Sequence, residues 1–165
     1  MNPITVAPAT ESDVPAILEM IAELAEFERL AHEVRIDANL LRAALFGDRP
    51  VAAALLGRVE GAAAGYAIYY RTFSTFVGRP GVFLEDIYVR PRFRKRGLGR
   101  AMLEAVAQAS LALGGGRLEW MALNWNENAL NFYRGLGAQV MGDWLLLRMT
   151  GGEVGRFVKG TKINV

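Results

Sequence analysis

Residues 82–123 read VFLEDIYVRPRFRKRGLGRAMLEAVAQASLALGGGRLEWMAL, and this stretch decides the fold. Residues 82–89 are an apolar run rich in branched and aromatic side chains, the pattern of a strand. Leu98, Ala101, Met102, Ala105, Val106 and Ala109 then recur at helical spacing until Gly114-Gly115-Gly116 stops the run. Residues 117–123 read as a further strand. Strand, helix and strand make a βαβ unit, whose two strands run parallel with a right-handed crossover.

Working outward, residues 4–7 suit a short strand, and Thr10-Glu11-Ser12-Asp13 has the form of a capping box. It opens a helix with Ile17, Leu18, Ile21, Leu24 and Ala25 on one face, running to about Leu30. Asp37 caps a shorter helix over Leu40, Leu41, Ala44 and Leu45, ending near Gly47 and Pro50. Residues 51–59 and 62–73, separated by Glu60-Gly61, predict a hairpin with a tight turn. Beyond the βαβ unit, residues 126–136 predict a short helix, and 138–141 and 144–149 short closing strands. The tail after Gly151 is too glycine-rich and polar to assign. No internal repeat or linker divides the chain, so residues 1–165 are expected to form a single α/β domain.

The composition narrows the chemistry. With 52% apolar and 22% charged residues over 165 positions, the chain is globular rather than disordered or rod-like. No cysteine is present, which excludes disulfides, thiolate nucleophiles and thiolate-bound metals, and the single His32 leaves little for zinc, so no metal is expected. No run approaches the roughly 18 apolar residues of a membrane span, and residues 1–11 lack a basic region followed by an apolar core. The expectation is a cytoplasmic protein without membrane contact.

Charge is concentrated rather than abundant. Six of the 19 cations fall in residues 90–100 with no acid among them, so the rest of the chain carries 13 bases against 17 acids. A basic loop on a mildly acidic body suggests a local anion site; a merely solvated loop is the alternative. Arg94, Lys95, Arg96, Gly97, Leu98, Gly99 and Arg100 lie between strand and helix, where the first amides of the helix have no partner within it. Glycines at 97 and 99 let phosphate oxygens approach, and the helix dipole adds about half a positive charge. The spacing is neither a dinucleotide fingerprint nor an NTPase phosphate loop.

Arg94, Gly97 and Gly99 fit the pattern R/Q-x-x-G-x-G/A, and Asn126, Ala129 and Tyr133 fit N-x-x-A-x-x-x-Y one strand later. In this order and separation the two motifs resemble those of the GNAT superfamily of N-acetyltransferases, over roughly residues 4–149. That resemblance implies a central, mostly antiparallel sheet with a splayed parallel pair of strands and flanking helices. It also implies acetyl-CoA held by Ile87, Tyr88, Val89, the loop from Arg94 to Arg100, and Asn126, Ala129 and Tyr133. A narrower resemblance, to the diamine (spermidine/spermine) and thialysine acetyltransferases, rests on Pro8-Ala9-Thr10, Glu23-Leu24-Ala25, Leu84-Glu85-Asp86, Trp125-Asn126-Glu127 and Asn131-Phe132-Tyr133. Phe27 departs from it, standing where the polyamine enzymes tend to have Tyr.

The chemistry so implied is specific. An alkyl amine of pKa about 10.4 is neutral only about once in 2,500 molecules at pH 7, a cost of about 4.6 kcal/mol, so a base is needed. Glu85 and Asp86, adjacent on a strand and hence expected on opposite faces, could supply one, with Glu85 the choice, directly or through water. Tyr133, a core aromatic beside Phe132 if read by position alone, becomes by the motif spacing the proton donor to the departing sulfur. The carbonyl oxygen would meet a backbone N–H around residues 87–89, where the family carries a bulge. By subfamily position Phe27, Glu28, Glu85, Glu119, Trp120 and Asp143 would recognise a cationic amine. Transfer would be direct, without a covalent acyl-enzyme.

Three other readings remain at this level: a protein or peptide N-acetyltransferase, a non-catalytic CoA-binding regulator, and a nucleic-acid binder using residues 90–100. The last lacks interleaved stacking aromatics apart from Phe93. The resemblance implies a homodimer paired through carboxyl-terminal strands, and Trp144 to Leu147 offer apolar surface.

Overall fold

Glu60 and Gly61 both take left-handed backbone, with φ of 54° and 80°, the geometry that lets two residues reverse a strand without splaying it. In the computed structural model, which describes residues 3–159, they join β2 (Ala53–Val59) to β3 (Ala62–Ser74). The sheet is completed by β1 (Ile4–Pro8), β4 (Arg79–Val89) and β5 (Leu118–Trp120), in the order β1-β2-β3-β4-β5. All neighbours are antiparallel except β4 and β5, which are parallel, as the crossover requires. This is the mixed α/β architecture implied above.

The chain forms two compact units, Met1–Met121 and Ala122–Val165. In the first, helices cover both faces of the sheet. The amphipathic helix α1 (Val14–Phe27) and the shorter α2 (Ala38–Phe46) bury Val14, Ile17, Met20, Leu41 and Leu45 against Leu56, Tyr66, Ile68 and Tyr88. The crossover helix α3 (Leu98–Ala112) lays Leu98 and Met102 on the opposite face, against Val59 and Ala64.

Caps fall where the side chains predict. Thr10 and Asp13 form the capping box around a turn of 3-10 helix that leads into α1, and Asp37 accepts from the amides of Asn39 and Leu40. Burial opposes the charge on Asp13. The Thr10 amide and hydroxyl and the Arg58 guanidinium, 2.6 Å away, outweigh it and hold the carboxyl below its usual range. Arg90 is clamped by Glu19 and Glu23 at 2.6 and 2.7 Å, which ties the end of β4 to α1.

Several expectations are corrected. α1 stops at Phe27 rather than near Leu30, because Arg29 turns left-handed (φ 62°) and the Leu30 amide returns to the Ala25 carbonyl. β5 is three residues, not seven. Its ladder to β4 ends at Leu84–Trp120, and β4 continues through Glu85 to Val89 with no strand on that side among the described residues.

The second unit differs most. Residues 138–141 and 144–149 form no strands, since they find no ladder partners, and Trp144, Leu145, Leu146 and Leu147 are largely exposed. The unassigned tail forms α5 (Gly151–Val158), opened by a capping box in which Glu153 accepts from the Thr150 amide at 2.6 Å. The end of that tail, 160–165, and residues 1–2 lie outside the described residues. The expected helix at 126–136 is present as α4 (Glu127–Gly135), with Asn126 as its cap.

The seat of α3 rests on two glycines paired across β2 and β3, Gly57 and Gly65. A Cβ on Gly57 would stand 2.7 Å from Leu98 Cδ1, and one on Gly65 would stand 2.5 Å from the Tyr88 carbonyl oxygen and 3.0 Å from Met102 Cε. Because the contact at 65 includes backbone, Gly65→Ala is expected to cost about 1–3 kcal/mol of stability, the range for overpacking a core. Urea unfolding measures it, and an unchanged midpoint would show that the helix is not so tightly seated.

Candidate active site

β4 carries the site at both ends. At its upper end, residues 91–93 form a turn of 3-10 helix, Lys95 and Gly97 take left-handed backbone (φ 61° and 89°), and α3 begins. A non-glycine residue held there costs about 1–2 kcal/mol, strain that is common in ligand-binding loops. Among the described residues the amides of Lys95, Arg96, Gly97, Leu98, Gly99 and Arg100 find no acceptor. Glycine is required at 97 by its φ. Nothing in the chain requires it at 99, where a Cβ would make only ordinary contact with Val89 at 3.7 Å. What glycine at 99 provides is open space before the first turn of the helix. These features fit a phosphate-bearing group such as the pyrophosphate of CoA.

The six cations of this segment divide by partner. Arg90 is neutralised by Glu19 and Glu23, and Arg100 by Glu104 at 2.8 Å. Arg94 turns inward, its Nε donating to the Val89 carbonyl at 2.9 Å. Arg92, Lys95 and Arg96 meet no acid among the described residues; Arg92 and Arg96 lie over the Phe93 ring, at 4.7 and 5.9 Å. Two of the six charges are thus neutralised by acids, and four, Arg94 among them, meet none among the described residues.

The lower end is acidic. β3 and β4 slip register there: Ile68 faces Asp86 and Tyr69 faces Leu84, so Glu85 is an extra residue, a bulge. This overturns the expectation of opposite faces. Tyr70, stacked on Phe83 at 5.4 Å, lies on the same face as Ile68, and Glu85 is beside its hydroxyl, where burial and that carboxylate push the phenol up. Asp86 is on this face too, accepting from the Tyr66 hydroxyl at 3.2 Å. The bulge therefore turns two sequential carboxylates to one side. It lies at Glu85, not at the expected 87–89.

Glu28 joins them from the end of α1. Burial raises its carboxyl, and its charge reaches Tyr66 and Asp86. Burial first, and then the Glu85 charge, push the Asp86 carboxyl up to about 6. The Tyr66 phenol, buried and facing Asp86, is raised well above its ordinary value. None of Glu28, Glu85 and Asp86 has a cationic partner among the described residues, and the C-terminal end of α1 adds its own negative potential. No group of three or more such side chains is placed to hold a metal ion among the described residues. The arrangement suits an extended organic cation, with Phe27, capped by the Arg94 guanidinium at 5.4 Å, as an aromatic wall.

The other expected residues are divided between the two faces of the sheet and the second unit, and only Glu119, level with Phe83, shares the face of Asp86. Glu119 sits across from Phe83 and pairs with Arg117 at 3.7 Å; Trp120 sits across from Leu84, on the other face of the sheet from Asp86. In the second unit, Asn126 Oδ1 accepts from the Ala129 amide at 3.3 Å, which explains two letters of the second motif as a helix cap. Tyr133 is tilted against Phe132, ring centroids 5.4 Å apart, and Asp143 lies in an exposed turn. Tyr66 and Tyr70 were missed by sequence reasoning, which weighed Asp86 as the base and chose Glu85. A bulge leaves no trace in a strand's alternation, so nothing marked the two tyrosines as part of the site.

The Acetyltransferase (GNAT) family model matches residues 15–138. A thialysine N-epsilon-acetyltransferase of Mus musculus is 41% identical over 154 residues, covering 87% of this chain and 90% of its own. An L-ornithine N5-acetyltransferase of Arabidopsis thaliana is 30% identical, with 87% and 82% covered. In fold, the chain is like an integron cassette protein of V. cholerae, at TM-score 0.78 and 18% identity over 94% of this chain and 98% of that one.

The raised Asp86 carboxyl makes a stability test. A carboxyl whose folded pKa exceeds its unfolded value favours folding most below the unfolded value, and loses that advantage as pH rises from about 4 through about 6. Asp86→Asn keeps an acceptor for Tyr66 and removes the charge. It is expected to raise Tm at pH 8, by free energy on the order of a few kcal/mol, and to leave it nearly unchanged at pH 4. Thermal unfolding at the two pH values checks this, and a variant less stable at pH 8 would contradict it.

Proposed function

Because this chain belongs to the acetyltransferase (GNAT) family, we propose that it carries acetyl from acetyl-CoA directly to a primary amine of a small cation, such as a diamine, polyamine or thialysine-like amino acid. It is an N-acetyltransferase, and its acceptor is a small amine. The observation that carries the finer reading is the course of β4. Among the described residues it has no partner strand on the side away from β3 from Glu85 to Val89, with an anion-accepting loop at one end and three carboxylates without cationic partners at the other. An extended thioester arm pairing along that edge would join a phosphate site to a cation site.

When bound, acetyl-CoA supplies a thioester, whose carbonyl carbon is attacked and whose sulfur leaves. The amides of the loop and those of Ile87 and Val89, which alternate with Tyr88 and Arg90 and so face away from β3, hold and orient it, one of the latter donating to the carbonyl oxygen as negative charge gathers there; Tyr88 lies between them. Phe27, Glu28 and Glu85 bind the amine as a cation. Its proton passes to the adjacent carboxylates Glu85 and Asp86, of which Asp86, pushed up to about 6, is suited to accept a proton at neutral pH. Tyr133, on the strength of its spacing from Asn126, gives a proton to the sulfur; Asn126 and Ala129 shape its helix. Glu119 shares the face of the carboxylates, whereas Trp120 and Asp143 keep only their subfamily position in support. We further propose one N-acetyltransferase domain over 1–165, acting in the cytoplasm as a homodimer. The exposed apolar row Trp144, Leu145, Leu146 and Leu147 supports the pairing. A protein acceptor is less well supported, because the acids converge on one face.

A thiol-release assay with acetyl-CoA and a panel of diamines, polyamines, thialysine, ornithine, amino acids and aminoglycosides tests the reading. Turnover is expected on at least one small primary amine, with kcat reduced about 100-fold in Tyr133→Phe at unchanged acetyl-CoA affinity. Tight CoA binding without turnover on any amine would contradict it and favour the regulator. For the anion site, Gly99→Asp puts a carboxylate where phosphate oxygens would lie while favouring the helix dipole. It is expected to weaken acetyl-CoA binding at least about tenfold without lowering Tm, and an unchanged Kd would count against the placement.

A further inference from the structure

Arg94 belongs to the phosphate-loop motif, yet its side chain is spent on the other side of the site. Its Nε donates to the carbonyl of Val89, the last residue of β4, at 2.9 Å. Its guanidinium lies 5.4 Å from the ring of Phe27, the last residue of α1, and 5.8 Å from the ring of buried Tyr88. The remaining four N–H groups of that guanidinium find no acceptor among the described residues. One planar group thus touches the strand end through one edge and the aromatic wall of the amine site through its face, with further edges free. Lys95, the next residue, is left-handed (φ 61°), so the phosphate loop turns immediately beside Arg94.

We infer that Arg94 is a positioning residue that couples the two ligands. Occupancy of the phosphate loop fixes its guanidinium, the guanidinium fixes the Phe27 ring beside Glu28, and the amine then binds a wall already in place. This deepens the proposed function and rests on it, since it presumes CoA at the loop and a cationic amine at the carboxylates. Coupling between binding sites is reciprocal, so the amine must tighten CoA by the same factor that CoA tightens the amine. A residue serving only as counter-charge to phosphate would act differently, because lysine would replace it. Lysine lacks both the planar face and the Nε–H that hold the three contacts together.

Calorimetric titration of thialysine and, separately, spermidine into the protein, with and without saturating CoA, reads the coupling free of turnover. In the parent, CoA is expected to tighten the bound amine about fivefold or more. In Arg94→Lys, CoA should still bind while the ratio of amine dissociation constants falls to about one. Phe27→Leu, at an exposed helix end, should lose the coupling in the same way. A parent whose amine affinity ignores CoA, or an Arg94→Lys variant that keeps the full ratio, overturns the inference while the acetyltransferase reading stands. A parent that binds no CoA at all overturns that reading, and this inference with it.

Discussion

The first turn of α3 can reach the sheet only because Gly57 and Gly65 lie opposite one another beneath it, leaving Leu98 and Met102 to fill the space that two side chains would take. That approach sets the helix's amino end beside the last residues of β4. Six amides that find no acceptor among the described residues are thereby held beside a strand edge that has no partner strand among them. A helix packed a side chain's width farther out would still have a positive end, but it would not share a boundary with Val89. The arrangement is a consequence of steric permission on one face of the sheet, and the chemistry is written on the other.

On that other face the decisive feature is a slip of one residue. Inserting Glu85 opposite no partner turns it and Asp86 to the same side, where α1 delivers Glu28. Like charges gathered in a partly buried place are unfavourable for the protein alone, as the raised Asp86 carboxyl records. Elsewhere the chain neutralises such groups: Asp13 has Arg58, and Glu19 and Glu23 have Arg90. The contrast between paired acids that hold the fold and unpaired acids that line the site separates architecture from function without appeal to sequence similarity. Cations show the same division, with Arg90 and Arg100 paired and Arg92, Lys95 and Arg96 without acids among the described residues.

Much of this was legible beforehand, for identifiable reasons. Helical periodicity marked α1, α2 and α3, and side-chain caps at Thr10 and Asp37 marked the starts of the first two. The parallel pair followed from the crossover. Three kinds of feature were hidden. The bulge at Glu85 depends on pairing between strands, which no single strand's pattern displays. The partners of Arg90 and Arg94 come from α1 and β4, so a local count of charge overstates what a ligand would meet. Apolar residues at 144–149 read as strand from composition, but a strand needs a neighbour as well as a propensity. The helix at Gly151–Val158 was concealed by its glycines, although Thr150 and Glu153 spell the capping box that opens it.

The central claim is that one edge of β4 and the amides at the start of α3 form a continuous seat for CoA. Backbone amide resonances of labelled protein, followed during titration with CoA, test it most directly. The expected result is that the largest shifts fall on Lys95 through Arg100 and along Glu85 through Val89, with Arg90's clamp to α1 undisturbed. Saturable binding whose shifts leave both segments unmoved would contradict the account.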